Sequence, residues 1–266
     1  MPARPPPTPP AAPLRTPQAR DLVAGLGKGL QVIEAFDDDS ARQTIADVAE
    51  RCGLTRAAAR RYLLTLQHLG YACSDGKHFS LTPKVLRLGQ SYMHSARLPR
   101  LVQPELNRLA GTLKEASSAG VLDGNDVLCV AALSVGRIVS ATLQPGTRVP
   151  AYCTSNGRVL LSALPEAEAD AWIARQTLLP LTPRTVSTPR RLANEVARTR
   201  AQGYATVDQE LETGLRTIAV PLKNVRGEVL AAINVSVHAA QLSMERLVER
   251  CLPALLQTQA NLRAML

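Results

Sequence analysis

Aromatic side chains are scarce in this sequence. They make up 3% of it, with one Trp, two Phe and five Tyr. A stacking platform for single-stranded nucleic acid needs more rings than that. The four histidines, His68, His78, His94 and His238, are scattered, and no H-E-x-x-H, G-x-S-x-G or zinc-ligand spacing occurs. The chain therefore reads as a non-enzyme, with no metal and no cofactor expected. No apolar run approaches the ~18 residues of a membrane span, so no membrane partner is expected. The five cysteines, Cys52, Cys73, Cys129, Cys153 and Cys251, are odd in number and form no C-x-x-C pair. Free, mostly buried thiols in a reducing cytoplasm are the expectation. Acidic residues are outnumbered, 22 against 31 basic ones, for a net charge of +9. That excess points to an anionic partner.

Proline, by contrast, is concentrated. Eight of the first 17 residues are Pro (MPARPPPTPPAAPLRTP), a density that forbids helix and sheet, so residues 1–24 are expected to be a disordered tail. A helix follows over Leu26–Phe36, with Leu26, Leu30, Val32 and Ile33 mostly on one side. GLGKG (Gly25–Gly29) lacks the ending of a phosphate loop and reads as a flexible entry to that helix. Thr44 caps the next helix, with Asp47 at the capping-box position, and Gly53 closes it. Thr55 caps a third helix two residues later, which makes a helix-turn-helix. Two short extended runs joined by Asp75-Gly76 add a wing. Projected at about 100° per residue, Ala58, Ala59, Tyr62, Leu63, Leu66 and Leu69 share one side of the third helix. Arg56, Arg60, Arg61, Gln67 and His68 share the other. Across residues 55–91 the charge is +5, with Asp75 the single acid. A recognition helix enters the major groove by its N-terminal end, where arginine reads guanine or clamps phosphate. The candidate DNA contacts are Thr44, Thr55, Arg56, Arg60, Arg61, Gln67 and Lys77.

Thr82-Pro83 opens a linker helix over Lys84–His94 whose stripes (Val85, Leu88, Tyr92; Leu86, Met93) suit pairing with a second chain. The domains expected are a winged helix-turn-helix over 25–82, a linker and dimerisation helix over 83–97, and an effector domain over 98–266. In the last, hairpins interleave with helices, which indicates α+β with a mostly antiparallel sheet. Strands are expected near Ser118–Leu122, Val127–Leu133, Ile138–Leu143, Tyr204–Val207, Thr217–Leu222 and Val229–Val237. Ile218, Val220, Leu222, Ile233, Val235 and Val237 form a bulky face. Thr217, Ala219, Pro221, Ala232, Asn234 and Ser236 form a small, polar one, free of Lys, Arg and Glu, as a pocket lining would be. CTSNGR (Cys153–Arg158) opens a helix whose free amides suit a carboxylate. The candidate effector contacts are Thr154, Ser155, Asn156, Asp208, Thr217, Asn234 and Ser236.

The order of winged helix, apolar linker helix and α+β domain resembles the IclR family of bacterial transcriptional regulators. LTRAAARRYLLTLQHLGY (54–71), SDGKHFSLTPKVLRLG (74–89), SSAGVLDG (117–124), GTRVPAYCTSNGRVLLSALP (146–165) and GYATVDQELETGLRTIAVPLKNVRGEVLAAINVS (203–236) carry the resemblance. They are similar to the branch that controls aromatic-acid catabolism through the β-ketoadipate pathway, the protocatechuate, p-hydroxybenzoate and β-ketoadipate responsive regulators. The proline-rich start departs from the family pattern. The resemblance implies a GAF-like effector domain, an aromatic or dicarboxylic acid effector, and a bacterial, cytoplasmic protein. It also implies a homodimer or dimer of dimers on a palindromic double-stranded operator, with activation through RNA polymerase. Two alternatives stand beside it: an IclR-type repressor of another pathway, and an enzyme or metabolite binder whose winged helix makes only protein contacts.

Overall fold

The computed structural model describes residues 18–134 and 143–266. Residues 1–17, and the strand expected at Ile138–Leu143 apart from Leu143 itself, lie outside the described residues. The chain divides into two compact units between Gly89 and Gln90.

The first unit is a helix-turn-helix with a wing. Helix α1 spans Ala24–Glu34, α2 Ile45–Arg51 and α3 Arg56–His68. Thr44 and Asp47 form the full capping box of α2. Gly53 follows at φ +62°, a left-handed turn that glycine adopts without steric cost. Thr55 then caps α3 by accepting from the Ala58 amide. Strands β1 (Ala72–Ser74) and β2 (Phe79–Leu81) form the wing, and Gln43 pairs with Phe79 beside it. Val32, Val48, Ala49, Ala59, Leu63, Leu66 and Phe79 make the core.

Four expectations change here. Residues 18–23, expected within the tail, carry a 3-10 turn at Ala19–Asp21, because prolines stop at Pro17. GLGKG lies inside α1 rather than before it. The wing loop is four residues, Asp75–His78, because the Asp75 carboxylate accepts the amides of Lys77 and His78 and widens the turn. Leu69 is exposed rather than inward, since α3 ends there and Gly70 at φ +78° turns the chain away. The carbonyls at that end are taken by Lys84 Nζ (to Leu69, 2.6 Å) and Thr82 Oγ1 (to Gly70, 2.6 Å). Thr82 also opens the 3-10 turn Pro83–Val85 that leads into α4 (Leu86–Ser95), none of whose residues is buried.

The second unit starts within α4 and continues with α5 (Arg97–Leu113), β3 (Ala116–Asp123), β4 (Asp126–Leu133) and β5 (Arg148–Pro150). Three helices come next, α6 (Ser155–Ala163), α7 (Glu166–Ala174) and α8 (Pro189–Gln202). Strands β6 (Ala205–Asp208), β7 (Leu215–Lys223) and β8 (Val229–His238) and helix α9 (Met244–Arg263) complete it. The strands form one sheet in the order β5-β4-β3-β8-β7-β6, with every neighbouring pair antiparallel. The short β5 is absent from the sequence-based expectation, since Arg148–Pro150 carries no alternating pattern.

Side chains alternate between the faces of a strand. On one face Ile218, Val220, Leu222, Ile233, Val235 and Val237 pack against Leu106 and Leu109 of α5 and Leu247, Leu255 and Leu262 of α9. Each such aliphatic side chain contributes about 1.5–3 kcal/mol by leaving water. On the other face Ala219 and Ala232 are small enough to seat α6, whose Val159 and Leu161 pack on them together with Leu192 and Val196 of α8. The small face is thus partly roofed by a helix, and its polar part remains beyond the start of that helix.

Gly157 sets how closely α6 sits. A Cβ there would lie 2.0 Å from the Ala151 carbonyl oxygen, against backbone that cannot turn aside. Gly157→Ala is expected to lower stability by about 1–3 kcal/mol, through overpacking. Thermal unfolding would register this as a midpoint several degrees lower, and an unchanged midpoint would refute the tight seat.

Candidate nucleic-acid interface and ligand pocket

Arginine is used in two ways in the first unit. Arg42 pairs with Asp75, and Arg51 pairs with Asp37 at 2.8 Å. The side chains of Arg56, Arg60, Arg61, Gln67 and Lys77 are exposed and make no hydrogen bond or ion pair among the described residues. Unpaired guanidinium groups on one exposed helix are ready to take an anion, and their fork matches phosphate and guanine edges alike. Thr44 and Thr55 are occupied as caps, which orients the helix starts without leaving their oxygens free. Lys77 stands on the wing loop. That loop is stiffened by Asp75, whose carboxyl is held well below the usual carboxylate range by the His78 and then the Lys77 amide.

The second unit contains a cavity at the N-terminus of α6, enclosing about 510 Å³ of empty space, part of it open to solvent. Thr154, Ser155, Asn156, Thr217, Asn234 and Ser236 all line it. Sheet register brings the last three together. Asn234 of β8 stands opposite Ser118 of β3, and Ser236 stands opposite Thr217 of β7. Val127, Val149, Val207, Leu211 and Leu215 add apolar walls. Gly120 keeps one wall low, since a Cβ there would lie 2.3 Å from Val127 Cγ1.

The polar groups of this cavity fall into two sets. Asn234 Oδ1 accepts from the Ser118 amide at 3.1 Å and its hydroxyl at 2.7 Å, and Asn234 Nδ2 donates to Ser236 Oγ at 3.3 Å. Thr154 Oγ1 caps α6 at the Gly157 amide and donates to the Pro150 carbonyl. These residues are already bonded to neighbours, and Asn234, with one N–H of Nδ2 beyond its bond to Ser236, positions Ser118 and Ser236. Ser155 Oγ, Asn156 Oδ1 and Thr217 Oγ1 are different: all are buried, and none has a partner among the described residues. A buried polar group without a partner costs about 1–3 kcal/mol. Three of them around one cavity leave room for a polar guest. Ser155 and Asn156 also begin α6, where backbone amides have no acceptor within the helix.

Asp208 is not in the cavity lining. Its carboxylate is bonded to Arg216 at 2.7 Å and paired with Arg184. Burial acts to raise its pKa, but Arg216, Gln209 and Arg184 outweigh that and leave it below the ordinary range. The pocket wall also includes Cys153 and Cys129, whose thiols burial pushes up to about 12 and about 11. They are neutral walls rather than nucleophiles. Sequence reasoning missed Ser118 and Leu211. Ser118 is identified only by strand register, and Leu211 only by the path of its loop. All five cysteines are free, and Cys73 on the wing is the exposed one. No described group of His, Cys, Asp and Glu could hold a metal ion, and no described helix is long and apolar enough to cross a membrane.

Arg60→Ala and Arg61→Ala are expected to weaken binding to a cognate duplex by about 1–3 kcal/mol for each base that is no longer read. The thermal midpoint should not move, because neither guanidinium has a partner in the protein. Gel shifts measure the first and thermal unfolding the second. A double variant that binds DNA like wild type would remove α3 from the interface.

Comparison with known proteins matches both units of the chain to one family. A family model described as IclR helix-turn-helix domain matches residues 25–76, and one described as bacterial transcriptional regulator IclR C-terminal matches residues 90–263. The chain is 44% identical over 243 residues to the Pca regulon regulatory protein of Pseudomonas putida, covering 91% of this chain and 84% of that protein. It is 38% identical over 251 residues to the p-hydroxybenzoate hydroxylase transcriptional activator of Acinetobacter baylyi, covering 92% and 93%. A crystal structure of an IclR homolog complexed with 4-hydroxybenzoate, from Microbacterium hydrocarbonoxydans, superposes with a TM-score of 0.73 at 26% identity, covering 90% of this chain and 99% of that one.

Proposed function

The chain belongs to the IclR family of bacterial transcriptional regulators, and we propose that it activates genes of aromatic-acid catabolism, in the β-ketoadipate branch, on binding a hydroxylated aromatic acid. As a member of that family it is a regulator and not an enzyme, with a DNA-binding helix-turn-helix and a domain for a small-molecule effector. The observation that carries the effector class is the set of three unpartnered buried atoms. The hydroxyls of Ser155 and Thr217, with the first amides of α6, suit a carboxylate. Asn156 Oδ1 suits a hydroxyl donor on the same ligand. Val149, Val207 and Leu215 suit the faces of a ring. The relatives' names support the same class: a Pca regulon regulator, a p-hydroxybenzoate hydroxylase activator, and a homolog complexed with 4-hydroxybenzoate.

Thermal-shift screening followed by calorimetry tests the class, with 4-hydroxybenzoate, 3,4-dihydroxybenzoate, β-ketoadipate and benzoate as the panel. A hydroxybenzoate is expected to raise the midpoint most. Ser155→Ala and Thr217→Ala should each weaken its binding by about 0.5–1.5 kcal/mol as neutral hydroxyl contacts, or up to ~3 kcal/mol where the hydroxyl meets the charged carboxylate. A protein that responds to β-ketoadipate alone would overturn the aromatic assignment and leave the site as that of a dicarboxylic acid.

A homodimer on a palindromic operator belongs to the same reading. Leu26 and Leu30 of α1 are 66% and 46% exposed, on the side opposite the buried Val32. The sequence pattern groups them with Val32 and Ile33, but they do not pack inward, since the unit's core is already closed by Val32. Leu86, Leu88 and Tyr92 of α4 are likewise 69%, 45% and 46% exposed. Exposed apolar stripes on α1 and α4 suit a second copy, and a two-fold dimer reads two half-sites. Wild type is expected to sediment as a dimer or larger, and Leu26→Asp with Leu88→Asp should shift it to monomers and abolish tight operator binding. A wild-type monomer at micromolar concentration would refute the dimer.

A further inference from the structure

The largest fully buried side chain among the described residues is a cation, Arg158 of α6. Its Nη2 donates to Glu210 Oε2 at 2.6 Å, its Nη1 lies 3.6 Å from Glu195 Oε2, and its Nε has no partner. Glu210 is buried too, and its Oε2 also accepts the Val186 amide at 2.9 Å. Thr185 Oγ1 donates to the Glu210 carbonyl at 2.6 Å, and Thr182 Oγ1 to the Gln209 carbonyl at 2.7 Å.

This network does not serve stability efficiently. A buried ion pair loses most of its attraction to desolvation, and apolar residues of similar volume often replace it without cost. What it supplies is direction, because a guanidinium holds a carboxylate in one orientation. The two partners lie on opposite sides of the cavity's construction. Arg158 sits three residues after Ser155 on the helix whose first turn offers Ser155 and Asn156 to the cavity. Glu210 is the second residue of the β6–β7 loop, which carries Leu211 and leads into Leu215 of β7, both on the cavity wall. That loop is tightly wound, with Gln209 at φ +59° and its side chain accepting the Gly214 amide at 3.0 Å. Thr182 and Thr185 hold its first two carbonyls, and the Arg158–Glu210 pair ties it to α6.

We infer that the Arg158–Glu210 pair is the positioning element of the effector site. It holds the Leu211–Leu215 wall at a fixed distance from the polar groups at the start of α6, and acid affinity depends on it although neither residue lines the cavity. The inference rests on the effector reading above, with the probe 4-hydroxybenzoate.

The test uses the full chain and compares wild type with R158M–E210Q and R158K. The double variant removes both charges, keeps the Arg stem volume, and leaves a Gln oxygen for the Val186 amide. Its thermal midpoint without ligand is expected to stay near that of wild type, while its calorimetric Kd for 4-hydroxybenzoate rises roughly tenfold or more. R158K keeps the charge without the fork and should raise Kd by a smaller factor at unchanged midpoint. A merely structural pair would move the midpoint and not the affinity of the folded protein. If the double variant does not fold, R158K decides. Wild-type affinity in a folded double variant, or in R158K when the double variant does not fold, overturns the inference alone. Where wild type prefers 3,4-dihydroxybenzoate, that acid replaces 4-hydroxybenzoate as the probe; wild type that binds neither overturns the effector reading, and this inference with it.

Discussion

The second unit depends on one constraint, the difference in bulk between the two faces of β7 and β8. Where Ile218, Val220, Ile233 and Val235 project, two long helices are held by aliphatic burial. Where Ala219 and Ala232 project, there is little side-chain volume, so α6 approaches the sheet closely. Close approach is completed from above by Gly157, which lets the helix backbone rest on the Ala151 turn. A helix seated that low is buried on every side, from Ser155 to Leu161. Its N-terminus therefore ends inside the protein, and its unsatisfied amides face a cavity instead of water. The cavity is a consequence of small residues and of where a helix begins.

Within the cavity, the polar groups divide into those already bonded to neighbours and those without a partner among the described residues. Asn234 is the most polar residue of the small face, yet its oxygen and its amine are both committed to neighbouring groups. Ser155, Asn156 and Thr217 carry the unspent capacity. A buried hydroxyl or amide without a partner is costly in the empty protein and favourable once a guest arrives, so the cost is recovered in binding. No described cationic side chain lines the cavity, and its unpartnered polar atoms are two hydroxyls and an amide oxygen.

The first unit applies the same distinction to charge. Arg42 and Arg51 are neutralised by Asp75 and Asp37 and fix loops, whereas Arg56, Arg60 and Arg61 are left unpaired along α3. The acids that could have quenched them are absent from that stretch of chain. The end of the same helix is closed by Lys84 and Thr82, at the turn that opens the next helix, so α3 and the turn into α4 share a hydrogen-bonded joint.

Local chemistry alone was enough to determine the helix-turn-helix, since caps, a left-handed glycine and a 3.6-residue rhythm act within a few residues of one another. Alternation along β7 and β8 likewise determined the two unlike faces, and with them Thr217, Asn234 and Ser236 as neighbours of a pocket. Tertiary structure decided the rest. Whether Asn234 is free or committed depends on Ser118, more than a hundred residues away in sequence and adjacent only through strand register. Asp208 looks available in the sequence, and Arg184 and Arg216, which claim it, converge only in the folded sheet. Leu26, Leu30 and Leu69 have the right residue type for a core, and their exposure follows from how little volume the core of a small unit can enclose. Arg158 and Glu210 each read as surface charges in isolation. Only folding places them against one another, because ion pairing is decided by distance in space and leaves no periodic trace along the chain.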